Sequence, residues 1–158
     1  IDNLDKTYKK NILSIQDSCL LFYTGKQRES YKITKNIVDK MSKNEDHFIN
    51  IRNLTQEGLS LLKSKNFKIE DFGKIIREAW FSKNQISKKY TNDKINNLFI
   101  DSLNFGAKGF KMLGAGSEGF FIIIAKKKYH KEILIRYKKY LNIKFKFENE
   151  GSKIIYEK

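Results

Sequence analysis

The sequence predicts an α+β fold, a two-layer sandwich in which helices cover one side of a mostly antiparallel sheet. Segments rich in β-branched and aromatic residues lie near the start, in the middle and at the end of the chain, and segments with apolar residues at helical spacing lie between them. Their order is strand, four helices, two strands, helix, two strands, which is typical of α+β domains. The 158 residues are the length of one domain, and we treat residues 1–158 as a single domain.

The first half of the chain is predicted to hold one strand and three helices. A polar lead-in covers residues 1–10, and a strand candidate over residues 15–24 is closed by Gly25. The helices, identified by apolar residues recurring every three or four positions, are expected over residues 27–43, 45–65 and 70–84. Trp80 falls on the apolar stripe of the third helix, so it is predicted to be a core residue.

The second half is predicted to alternate between strands and helices. A loop over residues 85–90 leads to a fourth helix, which Thr91 or Asn92 is expected to cap and Gly106 to end in the left-handed conformation. Strands are then expected over residues 109–113, 120–125, 143–148 and 152–156, with a helix over 129–140. The stretch 143–148 alternates between apolar and polar residues, as a strand with one wet face does.

Several glycines cluster in one stretch, Gly114-Ala115-Gly116-Ser117-Glu118-Gly119, between two strand-like segments. Such a loop lets a bound group approach the backbone, and converging N–H groups can hold a phosphate. The stretch lacks the following helix of a dinucleotide site and the terminal Gly-Lys-Ser/Thr of a Walker loop. The motifs that follow the glycine loop of protein kinases are also missing from the residues after Ala125. A hairpin without a ligand therefore stays open.

The chain is strongly basic, with 32 Lys and Arg residues against 18 Asp and Glu residues and a net charge of +14. This charge suggests a polyanionic partner. Only four of the basic residues are Arg, whereas specific nucleic-acid recognition depends on Arg for bidentate and stacking contacts. A basic nucleic-acid-binding module is therefore an alternative interpretation, not the first one.

Cysteine content and hydropathy restrict the compartment. The single cysteine, Cys19, excludes an internal disulfide framework and suits a reducing compartment, so we expect a cytoplasmic protein. No apolar run is long enough to span a membrane, and the two histidines lack metal-ligand spacing, so no metal site is predicted. The chain begins at Ile1 without an initiator Met or a signal-type segment, which predicts a fragment of a longer protein.

Four stretches match motifs that occur together in one kinase family. Residues 111–120 read Lys-Met-Leu-Gly-Ala-Gly-Ser-Glu-Gly-Phe, close to a Lys, two apolar residues and G-A-G-G-G-G-F. Residues 21–28 read L-x-Y-T-G-x-x-R, and residues 145–152 read F-x-F-E-x-x-G-S. Arg77-Glu78-Ala79-Trp80, followed by Ser87-Lys88, is similar to a helix motif H-E-A-W with a serine-rich loop behind it. On these residues the chain resembles the C-terminal domain of GHMP-type small-molecule kinases, most of all D-glycero-D-manno-heptose 7-phosphate kinase.

The resemblance implies a ferredoxin-like domain and an enzyme that transfers the γ-phosphate of ATP to a sugar phosphate. In the family the N-terminal half binds ATP and Mg²⁺ and carries the catalytic Asp, so this chain is expected to hold no catalytic residue and to be inactive alone. The glycine loop would brace the ATP loop and border the acceptor site. Its residues here, with the preceding lysine, are Lys111, Gly114, Ala115, Gly116, Ser117, Glu118 and Gly119.

Ser117 and Glu118 depart from the family motif, which usually has glycines there. A carboxylate that faces phosphate would repel it unless a metal ion or a Lys intervenes, so a catalytically inactive scaffold is a further alternative. Ser87, Lys88 and Lys89 are candidates for contact with the sugar phosphate, with a solvated basic loop as the alternative. The surface that meets the N-terminal half is expected to expose an apolar patch, which favours a homo-oligomer.

Overall fold

The computed structural model describes residues 6–26, 35, 37–38, 43–87, 90–114, 116, 118–148 and 150–156. Within them the chain forms α1 (Lys6–Ser18), β1 (Cys19–Tyr23), α2 (Glu45–Lys63), α3 (Ile69–Ile86), α4 (Asp93–Asn104), β2 (Ala107–Met112), β3 (Phe120–Ala125), α5 (Lys127–Arg136) and β4 (Leu141–Ile143). The helix expected over 27–43 falls mostly outside the described residues, although Lys35, Ile37 and Val38 are helical. None of the described helices is both long and apolar enough to cross a membrane.

The four strands form one antiparallel sheet in the order β2-β3-β1-β4. The central pair runs from Cys19 opposite Ile124 to Tyr23 opposite Phe120. Helices pack against this sheet, so the predicted α+β class is confirmed.

Aromatic side chains form the main core between the sheet and the helices. The rings of Phe110 and Phe22 lie on either side of Phe121, with centroid distances of 5.5 and 5.2 Å. Trp80 of α3 is 1% exposed and meets Phe110 edge-on at 5.8 Å. Aromatic pairs at these distances stabilise a core beyond the area they bury. The prediction that Trp80 is a core residue is confirmed.

A second, smaller cluster lies where α1 and α3 meet Ile124. Ile123 and Ile124 are both almost fully buried, and neighbouring strand residues point to opposite faces of a sheet. Ile124 packs with Ile15 of α1 and Ile69 of α3. The Asn11 amide also donates to the carbonyl of Leu62 at 2.9 Å, which ties α1 to the end of α2.

Two glycines allow α3 and β2 to approach each other at backbone distance. A Cβ on Gly73 would lie 2.7 Å from the carbonyl carbon of Lys108, and a Cβ on Gly109 would lie 2.9 Å from the oxygen of Gly73. Side chains at either position would push the helix off the strand. The contact therefore fixes α3 along β2, and β2 leads directly into the glycine-rich stretch.

Several predicted boundaries are wrong at the two ends of the chain. Residues 6–18 form a helix, not a lead-in followed by the start of a strand, because Asn11, Ile15 and Ser18 form a buried helical face. The strand expected over 143–148 is limited to its first residue, since β4 ends at Ile143. No strand forms over 152–156 either, and the side chain of Ile155 is 95% exposed.

The middle of the chain follows the prediction closely. The helices expected over 45–65 and 70–84 are α2 and α3, each within two residues at both ends. The side chain of Asn92 caps α4 by accepting from the N–H of Ile95 at 3.0 Å. Gly106 follows α4 with φ +87°, as the predicted left-handed end requires. The fifth helix is shorter than expected and ends at Arg136.

Candidate functional site

Residues 113–119, called the glycine loop below, close a hairpin between β2 and β3. The N–H of Leu113 donates to the oxygen of Phe120 at 2.8 Å, and the N–H of Glu118 donates to the oxygen of Gly116 at 2.9 Å. Gly114, Gly116 and Gly119 have φ values of +62°, +84° and +96°. This region is costly for residues with a Cβ, so turn geometry alone explains the glycines. Whether the loop binds a ligand therefore depends on the residues that surround it.

Thr24, just after β1, fixes the far end of the glycine loop. Its N–H donates to the oxygen of Gly119 at 2.8 Å, and its hydroxyl accepts from the N–H of Gly119 at 2.9 Å. Two of the four family-like stretches, 21–28 and 111–120, therefore meet in space.

Tyr90 brings the third stretch to the same place. It has no exposed surface, and a Cβ on Gly116 would lie 2.5 Å from its carbonyl oxygen and 2.7 Å from its ring. The Tyr90 N–H donates to the oxygen of Ser87 at 2.9 Å, and the phenol donates to the oxygen of Met112 at 3.4 Å. Burial holds the pKa of Tyr90 well above its usual value, so the phenol stays a neutral donor.

Lys83 of α3 also lies beside Tyr90, although it was not among the predicted site residues. Its Nζ lies 4.3 Å from the centroid of the Tyr90 ring. Burial, and next the positive charge of Lys111, lower the pKa of Lys83. A signal was present in the sequence, because Lys83 lies four residues after Ala79 on the apolar stripe of the helix. A lysine on such a stripe is a candidate for a functional cation.

Lys111 lies at the edge of an apolar groove of about 400 Å³ between α2 and α3. Side chains on the groove walls include Ile51, Leu54, Leu62, Phe72, Ile76 and Ala79. Lys111 is half-buried and lies on β2, three residues before Gly114. The groove is an apolar surface of the kind expected against a missing half, and the predicted self-association remains a prediction.

The side chain of Glu118 lies next to that of a lysine. Its Oε1 lies 3.9 Å from the Nζ of Lys26, and the two side chains are 27% and 65% exposed. A lysine beside Glu118 is one of the conditions under which the loop can tolerate a carboxylate near phosphate. An exposed pair of this kind contributes little stability.

The described site residues of the glycine loop lie close to one another. Of the candidates in the 85–90 segment, Ser87 lies in the described part of the chain and Lys88 and Lys89 do not. Gly114, Gly116, Glu118 and Gly119 all lie in the glycine loop, and Lys111 lies on β2 just before it. Ser87 is 1% exposed, and its carbonyl oxygen accepts from the N–H of Tyr90. The remaining candidates, Ala115, Ser117, Lys88 and Lys89, lie outside the described residues. Among the side chains that the structure describes, no group of three or more His, Cys, Asp or Glu could hold a metal ion.

The chain is similar to one curated protein and to several solved structures. No protein-family model matches the chain. A bifunctional fucokinase/GDP-fucose pyrophosphorylase of Arabidopsis thaliana is 27% identical over 117 residues, which cover 73% of this chain and 11% of that protein. The chain thus spans a small part of that relative.

Mevalonate kinase structures share the fold. The Methanococcus jannaschii enzyme matches with a TM-score of 0.68 and 22% identity, covering 89% of this chain and 42% of that one. The L. major enzyme, solved in complex with R-mevalonate, matches with a TM-score of 0.64 and 14% identity, covering 77% of this chain and 37% of that one. The chain therefore spans less than half of these kinases, and it has the α+β fold of GHMP kinase C-terminal domains.

Proposed function

We propose that this chain is the C-terminal half of an ATP-dependent small-molecule kinase of the GHMP type. The observation that carries the proposal is the meeting of three family-like stretches at the glycine loop, through Thr24, Tyr90 and Gly116. The fold supports it, since the M. jannaschii mevalonate kinase shares it over 42% of its length. The rest of such an enzyme would be an N-terminal half that packs on this chain.

In the proposed reaction an acceptor oxygen attacks the γ-phosphorus of ATP. The bond from that phosphorus to the bridging oxygen breaks, ADP leaves with the electron pair, and the acceptor hydroxyl gives its proton to the catalytic Asp that the N-terminal half would supply. In this proposal ATP and Mg²⁺ bind to the N-terminal half, as the resemblance to the family implies. This chain contributes position: the glycine loop braces the ATP loop and borders the acceptor, and Thr24 holds the loop in place.

We propose a phosphorylated sugar, heptose 7-phosphate, as the acceptor. The support is the sequence of the four stretches, which is most like the heptose 7-phosphate kinase branch. The half-buried cations Lys83 and Lys111 beside the loop also suit an acceptor that carries a phosphate.

A coupled assay of ADP release tests the proposal on the full-length protein that contains this chain. Heptose 7-phosphate is expected to support turnover, with L-fucose and mevalonate as comparison acceptors at equal concentration. The 158-residue chain alone is expected to show none, because phosphoryl transfer needs the ATP loop and the metal ligands. Turnover by the chain alone, or a full-length protein inactive on every acceptor, would contradict the proposal.

A nucleic-acid-binding module is the second candidate, and one observation favours it. A cleft of about 760 Å³ between α4 and the end of α5 is lined by Lys94, Arg136, Lys138 and Lys139, with Asp101 as its only carboxylate. Such a basic cleft suits a phosphate backbone. Binding of mixed-sequence RNA that weakens steeply between 50 and 200 mM salt would favour this candidate, and its absence would leave the kinase proposal.

A further inference from the structure

We infer that Lys83 and Lys111 together form a binding site for a phosphate dianion beside the glycine loop. The role of this site in an enzyme rests on the proposed function, whereas its existence rests on the placement of the two lysines.

The ring of Tyr90 lies beside both Lys83 and the glycine loop. The ammonium of Lys83 lies 4.3 Å from the centroid of this ring, and the backbone of Gly116 lies against the same ring. The phenol of Tyr90 donates to the oxygen of Met112, the residue directly after Lys111. The buried ring therefore lies beside Lys83 and the glycine loop. Lys111 belongs to the same neighbourhood because it lines one groove with Ala79, which lies one helical turn before Lys83.

The charges of these two lysines are not compensated within the described residues. Both side chains are half-buried, and within the described part of the chain neither forms an ion pair with a carboxylate. Burial, and next the charge of Lys111, lower the pKa of Lys83, so both disfavour the charged form of this side chain. An anion between the two ammonium groups would remove this cost.

A phosphate dianion fits the site better than other anions do. A phosphomonoester carries between one and a half and two negative charges near pH 7, which matches two lysines, whereas a carboxylate carries one. Lysine binds phosphate as a point charge, and a loop of glycine backbone beside it can supply N–H donors.

The dianion could come from two sources, the phosphate of the acceptor or the terminal phosphate of the nucleotide. Both present the same oxygen atoms to the lysines, so the structure of this chain assigns the chemistry and the experiment assigns the source. A purely structural role for Lys83 is the competing explanation, because an ammonium over an aromatic ring contributes about 0.5–1 kcal/mol. In that case its loss would lower stability and leave phosphate binding unchanged.

Titration of the isolated chain with inorganic phosphate tests the site directly. Amide NMR at pH 7 and constant ionic strength would be recorded for the native chain, Lys83→Met and Lys111→Met, which keep most of the aliphatic stem. Each variant is expected to weaken phosphate binding at least about tenfold, as the loss of a charge-assisted hydrogen bond does. The control Lys131→Met removes the same charge from the exposed face of α5 and should change affinity less than about twofold.

Two results would overturn the inference: no saturable binding by the native chain, or an equal loss in all three variants, which would mean attraction by net charge alone. Circular dichroism would confirm that the variants fold. If Lys83→Met does not fold, Lys83→Arg keeps the charge and should bind phosphate within about threefold of the native chain. A tenfold loss in a folded Lys83→Arg together with unchanged binding in Lys111→Met would overturn the inference.

Steady-state kinetics of the full-length kinase separate the two sources. A rise in KM for the phosphorylated acceptor in Lys83→Met and Lys111→Met assigns the site to the acceptor, and a rise in KM for ATP assigns it to the nucleotide. If neither KM changes, the inference is wrong. A native full-length protein inactive on every sugar phosphate would overturn the proposed function but not the phosphate titration, so the two failures can be told apart.

Discussion

The backbone of Gly116 lies against the buried ring of Tyr90, so closely that a Cβ there would be 2.5 Å from the Tyr90 carbonyl oxygen. Tyr90 in turn packs on Trp80 with a centroid distance of 5.2 Å. The contact joins the glycine loop to the aromatic core, so core packing sets the position of the loop before any ligand binds.

Replacing Gly116 by Ala should therefore destabilise the protein strongly. The left-handed backbone alone costs a residue with a Cβ about 1–2 kcal/mol, and overpacking adds about 1–3 kcal/mol. We expect the free energy of unfolding to fall by about 2–5 kcal/mol in total, measured by urea denaturation.

Gly114→Ala is the matched control for that substitution. Gly114 also has a left-handed φ, +62°, but a Cβ there would meet nothing within 4 Å. Only the backbone cost of about 1–2 kcal/mol should remain. Equal losses in the two variants would mean that the contact with Tyr90 does not hold the loop.

A second pair of glycines should respond in opposite directions. A Cβ on Gly109 would lie 2.9 Å from the backbone oxygen of Gly73, so Gly109→Ala should destabilise by about 1–3 kcal/mol through overpacking. Gly58 lies inside α2, where a Cβ would meet only Ile75 at an ordinary 3.8 Å. Gly58→Ala should therefore stabilise by about 0.5–1 kcal/mol, because alanine favours the helix. Thermal unfolding of both variants tests the pair, and a destabilised Gly58→Ala would contradict it.

The sequence predicted the middle of the fold because local signals and packing agree there. The spacing of apolar residues and the capping residue Asn92 predicted α4, and the left-handed conformation expected at Gly106 predicted where it ends. The ends of the chain differ. The face that α1 buries includes the polar residues Asn11 and Ser18, so a search for periodic apolar residues does not find this helix. Asn11 can be buried because α2 supplies a hydrogen-bond partner.

Part of the candidate site could not be predicted for a similar reason. The glycine loop was visible as a motif and Lys83 as a lysine on the apolar stripe of α3. That the two lie together follows only from the packing of Lys83 on the ring of Tyr90, seven residues away along the chain. Residues 143–148 do alternate between apolar and polar side chains, but this alternation alone does not make a strand. β4 pairs with β1 only as far as Ile143. Spatial pairing, not local composition, decided both cases.

Cys19 should react slowly with alkylating reagents while the protein is folded. Burial raises the pKa of its thiol to about 12, and the thiolate is the reactive form. At pH 8 we expect alkylation by iodoacetamide, followed by mass spectrometry, to be at least about a hundredfold slower in buffer than in denaturing urea. Similar rates in both conditions would show that β1 opens often, contrary to its central place in the sheet.

The ion pair between α4 and α5 should make stability depend on acid. Arg136 donates to Asp101 at 2.6, 2.8 and 3.0 Å, and these hydrogen bonds hold the pKa of Asp101 below its usual value. A depressed pKa in the folded state contributes stability above the unfolded value of about 4, and the contribution is lost as pH falls through the folded pKa.

Asp101→Asn should accordingly unfold at lower urea than the native chain at pH 7. The difference between the two should shrink as pH falls from about 4 towards 2, because the native carboxyl is then protonated as well. A difference that stays constant over this range would mean that the pair contributes through packing and not through charge.

Glu118 should oppose an anion at the glycine loop while contributing little to stability. Its partner Lys26 lies 3.9 Å away and is 65% exposed, so Glu118→Gln should change the free energy of unfolding by less than about 1 kcal/mol. Removing this charge should tighten orthophosphate binding by about twofold, the effect of a unit charge acting over about 10 Å through water. The NMR titration used for the lysine variants measures it.

The direction of that change decides the role of Glu118. Tighter binding would show that the carboxylate acts only as a nearby negative charge, so the loop can receive phosphate although the motif departs from glycine there. Weaker binding would show that Glu118 holds Lys26 where the anion needs it, since their ion pair is the contact that the substitution removes. The prediction would then be wrong, and Lys26→Met should weaken phosphate binding to a similar extent.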